Sequence, residues 1–364
     1  MNHHLSRRKL LAWATVPLAA SVTRLPLFAA DTVTSREERI ERLMATARNE
    51  GPLTLYHLMP PPDVEPIVEL YQQRYGLEIE AWKSTGESII QRVFAETRAG
   101  RQRFDILQMS AATQMAFEAG ALQEIEPGLD IMLPDATEAD HGHWFSTHSA
   151  VFAFGYNTNL LQPDQLPSTL EDLADPFWSG KVAFNQGSNA AWIATVYEGL
   201  GETRAEAFFT AMAGNEIKVR KGYTLMSNLL AAGEFACTPQ AMIKMMENLK
   251  QAGAPVDYIP LPPVIALRQV WSLARQSRRP AAATLFFELL AHEGERVFVE
   301  NNYTSPFVDA LDASGNLPLM YADFSTESAE NARAWRSRYA QFLRNGLGRC
   351  EAVPSETAST LKIN

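Results

Sequence analysis

Apolar segments of strand length alternate with segments of helical spacing along two stretches of this chain, and this order limits the fold more than any other feature. In the first stretch, the strands "LTLYHL", "LEIEAW" and "FDILQMS" are each followed by apolar residues that recur every three or four positions. The second stretch repeats the order with "KVAF", "EIKVR" and "EFACT". Strands that alternate with helices predict a parallel sheet covered on both faces. We therefore predict an α/β protein made of two such units.

The turns that follow four of these strands are rich in serine, threonine, glycine and amide residues. They cover residues 83–88, 108–113, 185–189 and 221–224. Such residues often serve only as helix caps. Four of them at equivalent places favour a shared small-ligand site, because ligands of open α/β sheets bind at the carboxyl ends of strands. The candidate ligand-binding residues are Tyr56, His57, Ser84, Thr85, Ser88, Ser110, Thr113, Ser188, Asn189, Tyr223 and Thr224.

An anionic group suits these turns because helix N-termini offer unpaired N–H groups and a positive dipole end. Ser188 and Asn189, which follow Gly187, are placed to cradle a carboxylate or phosphate from one unit, and Ser84 from the other. A protonated His57 would assist, although a surface histidine fits the same position. The tryptophans near these turns, Trp82 and Trp192, are interpreted as core residues in preference to a stacking wall.

The first thirty residues read as a targeting segment. Arg7, Arg8 and Lys9 precede an apolar run that is too short for a membrane span. The order resembles a twin-arginine export signal, with an ordinary secretory signal as the alternative, and cleavage is expected near Ala30. Loss of this segment removes four basic residues and no acid, which takes the formal charge from −10 to −14. So acidic a protein is not suited to nucleic acid or anionic membrane surfaces, and any anion site must be local.

Other candidate chemistries find little support. Asp140, His141, His143 and His148 lie close together in sequence, but solvated loop histidines explain them better than a metal site. Met242, Met245 and Met246 fit one packed helix face. The two cysteines, Cys237 and Cys350, leave a disulfide open. No nucleophile, zinc-protease or phosphate-loop motif occurs in a fitting context, so we predict a protein that is not an enzyme and has no metal or cofactor.

The chain resembles the solute-binding proteins of ATP-driven (ABC) importers, in the branch that binds ferric ion. The resemblance runs from about Leu53 to Phe298, and its most specific part is "YNTN" followed by "EDLADPFWSGKVAF". Other segments in family order are "LTLYHLMPPPDVEPIVELYQQRYGLEIE", "FDILQMS", "FEAGALQEIEP", "LLAAGEFAC", "AGAPVDYIPL" and "PAAATLFFELLAHEGERVF". It implies a two-lobed periplasmic-binding-protein fold of type II, in which each lobe is a parallel-rich sheet flanked by helices and the ligand cleft lies between the lobes.

The chain departs from this branch at the metal ligands. Ferric-binding members use two adjacent tyrosines shortly after the "GE" turn, a histidine after the first strand and an acid after the third. Here "FACTPQAMIKMMENL" follows Glu234 without a tyrosine, Pro60 stands at the histidine position and Ser110 lies near the acid position. Ferric ion prefers anionic oxygen ligands, which methionine, proline and alanine lack. Iron binding through tyrosines is therefore not expected.

The resemblance implies a periplasmic receptor that captures a small anionic organic or oxyanion solute and delivers it to the membrane permease of an ABC importer. Alternatives are a ferric-binding protein that uses other ligands or a chelate, and an exported enzyme. We expect a monomer with a signal at residues 1–30, lobe 1 at 31–152, lobe 2 at 153–262, a return to lobe 1 at 263–310 and a C-terminal helical segment at 311–364 that packs on lobe 2.

Overall fold

The computed structural model describes residues 36–125, 142–187, 190–305, 318–328 and 330–347. Its strands are β1 Leu53–His57, β2 Ile79–Lys83, β3 Ile106–Met109, β4 Leu122–Gln123, β5 Trp144–Asn157, β6 Ala183–Asn185, β7 Lys218–Arg220, β8 Cys237–Met242, β9 Val256–Ile259, β10 Val264–Ala274 and β11 Leu319–Tyr321. Its α-helices are α1 Arg36–Ala47, α2 Pro61–Tyr75, α3 Gly86–Arg98, α4 Thr113–Glu118, α5 Ala190–Leu200, α6 Glu202–Ala213, α7 Tyr223–Ala231, α8 Ile243–Gln251, α9 Pro280–Leu289, α10 Glu295–Glu300 and α11 Asn331–Gly346. A wider helical turn, Leu290–Gly294, joins α9 to α10.

The first lobe, which we define as β1–β4 with α2–α4, α9 and α10, is the first predicted α/β unit. Its central strand β1 pairs in parallel with β2 on one side and β3 on the other. Pro61 and Pro62 open α2, where a missing backbone N–H costs nothing, and Gly76 ends it in the left-handed conformation that glycine adopts without strain. Strand and helix alternate as the sequence predicts, so β1, β2 and β3 all end at the same edge of the sheet.

Two long antiparallel strands, β5 and β10, join the first lobe to the rest of the molecule. Their ladder runs from Trp144 opposite Ser272 to Val151 opposite Ala266, with a bulge in β5 beside Gln269 and Val270. At its start β10 pairs with β11, and at its end with β3 and β4. All fourteen residues of β5 are buried because sheet neighbours and helices cover both sides. These strands are the crossing between the lobes, and we call them the crossing strands.

The second lobe, defined as β6–β9 with α5–α8, surrounds the far end of β5. There β5 pairs with β8 on one side and β9 on the other, while β6 and β7 form a parallel pair beside β8. Gly155 of β5 is required by packing, because a Cβ at this position would lie 2.5 Å from the Cβ of Ala241. The last helix, α11, packs on α5 and α6 and places Tyr339, Phe342 and Leu343 in the core of this lobe.

Each lobe has its own apolar core. The larger core of the first lobe lies between the sheet and α2, α9 and α10, and includes Tyr71, Trp271 and Phe286. The second lobe is built around aromatic residues such as Trp192 and Phe209, which agrees with the prediction that Trp192 is a core residue. The two cores are separate clusters, and the crossing strands contribute residues to both, Phe145 and Trp271 to the first and Phe152 and Ile265 to the second.

Two sequence-based expectations are wrong in detail. Met242 ends β8, so only Met245 and Met246 lie on the helix that was predicted to carry all three methionines. His148 is buried in β5 and is not a solvated loop histidine, because the strand begins earlier than its polar residues suggest. The short strand β9 lies between Pro255 and Pro260, which stand just outside it.

Several predicted features fall outside the described residues. They are the export signal, Asp140, His141, Ser188, Asn189 and Cys350, so the disulfide with the buried Cys237 stays open. Within the described ranges, no helix combines the length and apolar character that a membrane span requires. The predicted lobe boundaries stay predictions.

Candidate functional site

The carboxyl ends of β1, β2 and β3 meet at one edge of the first lobe. A Cβ on Gly86, which opens α3 after β2, would lie 3.6 Å from Leu58 and 3.7 Å from Met109, the residues at the ends of β1 and β3. The side chain of Gln108 joins the same strands, because its oxygen accepts from the Leu58 N–H at 3.2 Å. Its nitrogen donates to Gln269 of β10, also at 3.2 Å. The predicted turns of this lobe therefore converge on the crossing strands.

The residues predicted after β2 are mainly engaged in capping α3. The Thr85 hydroxyl accepts from the Ser88 N–H at 3.3 Å and donates to the Ser88 hydroxyl at 3.0 Å. Both side chains are exposed, and Ser84 is half-buried with its N–H bound to the His57 carbonyl. Capping stabilises the helix start. Within the part of the chain that the structure describes, the Ser84 hydroxyl of this turn makes no hydrogen bond.

Tyr56 and His57 are both buried at the end of β1, in different environments. The Tyr56 hydroxyl donates to Glu96 at 2.9 Å, and burial, together with this bond, raises the pKa of the phenol. The Nδ1 atom of His57 has no hydrogen-bond partner, and burial lowers the pKa of its imidazole to about 4. His57 is therefore neutral at pH 7, so it does not supply the positive charge that the sequence analysis considered for it.

The turn after β3 holds Ser110 and Thr113 at the start of α4. The Ser110 carbonyl accepts from the Thr113 N–H at 2.9 Å, and its side chain is half-buried. Thr113 is fully buried, and its hydroxyl has no hydrogen-bond partner. A buried hydroxyl without a partner is costly, so this atom is a candidate to bind a solute or a water molecule.

In the second lobe, Asn185 organises two of the predicted turns. Its side-chain oxygen accepts from the Gly187 N–H at 3.0 Å and from the Gly222 N–H at 2.9 Å, which ties the turn after β6 to the turn after β7. Tyr223 follows Gly222 and forms a side-chain hydrogen bond with Asn185, while burial raises the pKa of its phenol. Thr224 is exposed at the start of α7.

Two buried donors of the second lobe lack partners. Gln240 in β8 accepts from the Asn185 N–H at 2.8 Å and from the Tyr339 hydroxyl at 3.3 Å, but its own amide nitrogen has no acceptor. The indole N–H of Trp192, in the first turn of α5, also has none. Trp192 lies at a helix start, like Thr113 in the first lobe, whereas Gln240 lies within β8. Among the described residues, further buried polar atoms without a partner lie on the crossing strands, in His148, Ser149 and Ser272.

The lobes touch beside the crossing strands in two places. In one, the small residues Ala111 of the first lobe and Ala191 of the second belong to one buried cluster with Ala322, against which Leu267 and Phe324 pack. In the other, Lys244 of α8 forms an ion pair with Asp63 of α2 at 2.5 Å, and Asp63 also accepts from the Tyr303 hydroxyl at 2.7 Å. Both charged side chains are nearly buried, with exposed fractions of 10% and 8%. We call this second contact the Lys244 contact.

Arg268 is a cation of the crossing strands. It lies on β10 between Ala266, the last residue paired with β11, and Val270, the first paired with β3. Its guanidinium lies over the ring of Tyr321 at 4.0 Å. Within the described part of the chain it has no carboxylate within ion-pair distance and no side-chain hydrogen bond. The side chain is half-buried, and desolvation lowers the pKa of its guanidinium, which stays charged at pH 7.

The residues that link the lobes were not predicted from the sequence. Arg268 could have been noticed, because it is the single charged residue in the mostly apolar strand "VIALRQVWSLA". Asp63 and Lys244 could not have been noticed, since they are far apart in sequence and each is typical of a helix surface. Among the described residues, no group of three or more His, Cys, Asp or Glu side chains is arranged to hold a metal ion. The site therefore offers hydroxyls, amides and one unpaired guanidinium, a set that can bind a small polar or anionic molecule.

Comparison with known sequences gives a family. Residues 102–317, more than half of the chain, match the bacterial extracellular solute-binding protein family. Iron uptake protein A1 of Synechocystis sp. is 26% identical over 117 residues, which are 31% of this chain and 32% of that protein. The match thus spans about a third of the length of this relative.

Solved structures share the fold over most of the chain. Iron-bound HitA from Pseudomonas aeruginosa matches with a TM-score of 0.68 and 18% identity, covering 80% of this chain and 99% of HitA. The periplasmic binding protein AfuA from Actinobacillus pleuropneumoniae, with fructose 6-phosphate bound, matches with a TM-score of 0.68 and 18% identity, covering 81% of this chain and 99% of AfuA. These likenesses confirm the predicted α/β fold of type II with two lobes.

The family and its fold are those of substrate-binding proteins and not of enzymes, in agreement with the prediction from the sequence. The crossing strands, the converging strand ends and the match over residues 102–317 all indicate the same class. This chain belongs to the bacterial extracellular solute-binding protein family.

Proposed function

We propose that the protein is the periplasmic receptor of an ABC-type importer and captures a small anionic organic or oxyanion solute between its lobes. Each lobe supplies part of the polar contacts, so only the closed form makes all of them and solute binding favours closure. The closed monomer then delivers the solute to a membrane permease. The candidate contacts are the free hydroxyls and amides at the strand ends, among them Ser84, Thr113 and Gln240.

The observation that carries the anionic character is the unpaired guanidinium of Arg268. A half-buried charge without a partner is unfavourable, and proteins retain it where a ligand supplies the opposite charge. AfuA, which has the same fold, was solved with a sugar phosphate bound, so this fold can hold an anionic solute. The strand-end lysines Lys83 and Lys221 are exposed and add positive potential at the two sides of the cleft.

A ferric chelate is the second candidate. Iron uptake protein A1 and iron-bound HitA both point to iron among the proteins that this chain resembles. Bare ferric ion is less well served: the described residues hold no group of three or more His, Cys, Asp or Glu side chains arranged for a metal ion, and the Tyr56 and Tyr303 hydroxyls are bonded to Glu96 and Asp63. A chelate such as ferric citrate would present carboxylates to Arg268, so it is compatible with the same site.

A thermal-shift screen of the chain without its first thirty residues tests the proposal. The panel contains carboxylates, phosphate esters, phosphonates, polyamines and ferric citrate, and hits are measured by isothermal titration. We expect stabilisation by at least one anionic compound, because a solute that binds only the folded state raises its stability. Stabilisation by polyamines alone, or by uncomplexed ferric ion alone, would overturn the anionic assignment. Turnover of a bound compound would overturn the receptor assignment.

A further inference from the structure

We infer that Arg268 and Ser149 together form an oxyanion subsite on the crossing strands, which binds a carboxylate or phosphate group of the solute. The inference rests on the proposed function and adds to it the residues that bind the charged group of the solute. Neither residue lies in the strand-end turns at which the sequence predicted binding. The subsite instead lies on the crossing itself, which both lobes approach.

The register of the crossing strands places the two side chains together. Arg268 of β10 lies directly opposite Ser149 of β5. Side chains that are directly opposite each other in an antiparallel ladder project from the same face, with Cβ atoms about 5 Å apart. The guanidinium and the hydroxyl are therefore neighbours on one face of the crossing, within reach of a single oxyanion.

Ser149 is an independent sign of a missing partner. Its side chain is 1% exposed, and its hydroxyl makes no hydrogen bond. The Ser149 backbone is satisfied, because its N–H donates to the Thr304 carbonyl at 2.9 Å. The cost of a buried hydroxyl without a partner is removed when an oxyanion accepts its proton.

Arg268 is held in a conformation that leaves its donors available. The Tyr321 ring supports the flat face of the guanidinium at 4.0 Å, so the N–H groups along its edge remain free. Other half-buried arginines of the chain are used internally: Arg279 is paired with Asp105 at 2.8 Å, and Arg92 with Glu96 at 2.9 Å. Two parallel N–H groups on one edge match the spacing of two oxygens in a carboxylate or phosphate.

The neighbouring charges do not compete for this role. The ammonium of Lys244 is neutralised by Asp63, and Asp63 is further occupied by the Tyr303 hydroxyl. Ile243, which precedes Lys244, packs in the cluster of β5 and β10 residues that also includes Tyr321. The first turn of α8 therefore lies near the subsite and contributes its positive dipole end without a competing carboxylate.

The test compares four variants by isothermal titration with three probes: inorganic phosphate, citrate and fructose 6-phosphate. R268M should weaken binding about 100-fold, since a charge-assisted pair is lost. R268K should weaken it about 10-fold, because lysine keeps the charge but not the two-pronged geometry. S149A should weaken it about 5-fold. The control R42M, which removes an exposed cation of α1, should change it by less than about 3-fold because solvent screens its charge.

The outcomes separate the subsite from the receptor function. If R268M and S149A bind a probe as tightly as the wild-type protein does, the subsite is wrong, and the receptor assignment is unaffected. A wild-type protein that binds none of the probes at 50 mM, roughly the upper end of useful weak affinities, would also overturn the subsite, and the solute screen would then decide the function. Citrate preference indicates a carboxylate solute and fructose 6-phosphate preference a phosphorylated one. Thermal unfolding of each variant checks that it is folded.

Discussion

Lys244 and Arg268 both lie where the two lobes meet, but the described residues supply a carboxylate only to Lys244. The Lys244 contact joins α8 of one lobe to α2 of the other through Asp63, with Tyr303 as a third partner. Arg268 rests on the Tyr321 ring, and no acid of the described residues lies within ion-pair distance of it. A cation with a partner on the opposite lobe stabilises the approach of the lobes, whereas a cation without one is available to a solute. The same type of charge thus serves structure in one place and recognition in the other.

Among the changes that test the difference between Lys244 and Arg268, removal of the Asp63 carboxylate should have the largest effect on the free energy of unfolding. The Asp63→Leu variant leaves Lys244 and the Tyr303 hydroxyl without their acceptor, so we expect the free energy of unfolding to fall by about 3–5 kcal/mol. The double variant with Lys244→Met should recover to within about 1 kcal/mol of the wild type, because no unpaired charge remains. Urea denaturation measures both. Equal stability of the single and double variants would show that Lys244 is not held by Asp63.

Acid should destabilise the protein through its buried histidines. Burial, with the charge of Lys244 as a smaller cause, lowers the pKa of His148 to about 3, and burial lowers the pKa of His57 to about 4. In the unfolded chain each of these histidines binds a proton near pH 6.5, whereas in the folded chain it stays neutral. The free energy of unfolding therefore has its full value above that pH and declines below it. The loss should be about 2 kcal/mol for each histidine between pH 6.5 and pH 5. In urea denaturation at several pH values, His148→Gln should have the shallower decline; an unchanged slope would contradict the assignment.

Two tyrosines beside these cations should differ when their hydroxyls are removed. Tyr303→Phe deletes the bond to Asp63, so we expect a loss of about 1–2 kcal/mol in unfolding free energy. Tyr321→Phe keeps the ring under Arg268 and removes a hydroxyl that makes no hydrogen bond to the described residues, so its effect should stay within about 0.5 kcal/mol. Chemical denaturation of the two variants side by side is the measurement. A larger loss for Tyr321→Phe would reverse our interpretation of the two regions.

The smallest effect is expected for removal of the charge of Arg268, and its sign should be opposite to that of removal of the charge of Lys244. Without solute, Arg268→Met should leave the free energy of unfolding unchanged or raise it by up to about 1 kcal/mol, because a desolvated charge without a partner is replaced by an apolar side chain. Lys244→Met in the same assay should lower it, since Asp63 then remains buried without its cation. A matching loss in both variants would mean that Arg268 is also held by an unrecognised internal partner.

Much of the fold could be predicted because it follows from local patterns. The alternation of strands and helices that begins at β1 and resumes at β6 follows from the spacing of apolar residues and from the residues in the turns. Both are local properties that extend over a few residues. The long β5 and the short β9 were less well predicted, since buried strands without strict alternation carry no periodic signal and prolines mark only where a strand cannot continue.

The candidate site was predicted less completely than the fold. The strand-end turns of the first lobe do converge, as Gly86, Leu58 and Met109 show. The roles of single side chains did not follow from sequence: Thr85 caps a helix, and His57 is too deeply buried to carry a charge at pH 7. Burial and hydrogen-bond partners depend on packing between distant segments, and these quantities decide whether a polar residue is free for a ligand.

The sequence by itself determined the class of this protein: two α/β units, strand ends rich in small polar residues, and no tyrosine after Glu234 that could hold iron in the way of the family it resembles. Only the tertiary structure decided which cation is paired. Asp63 and Lys244 are 181 residues apart, yet they form one ion pair, while Arg268 lies opposite Ser149 through the register of two strands and pairs with none of the acids that the structure describes. Electrostatic pairing acts over a few ångströms in space, and that distance is set by the packing of the lobes.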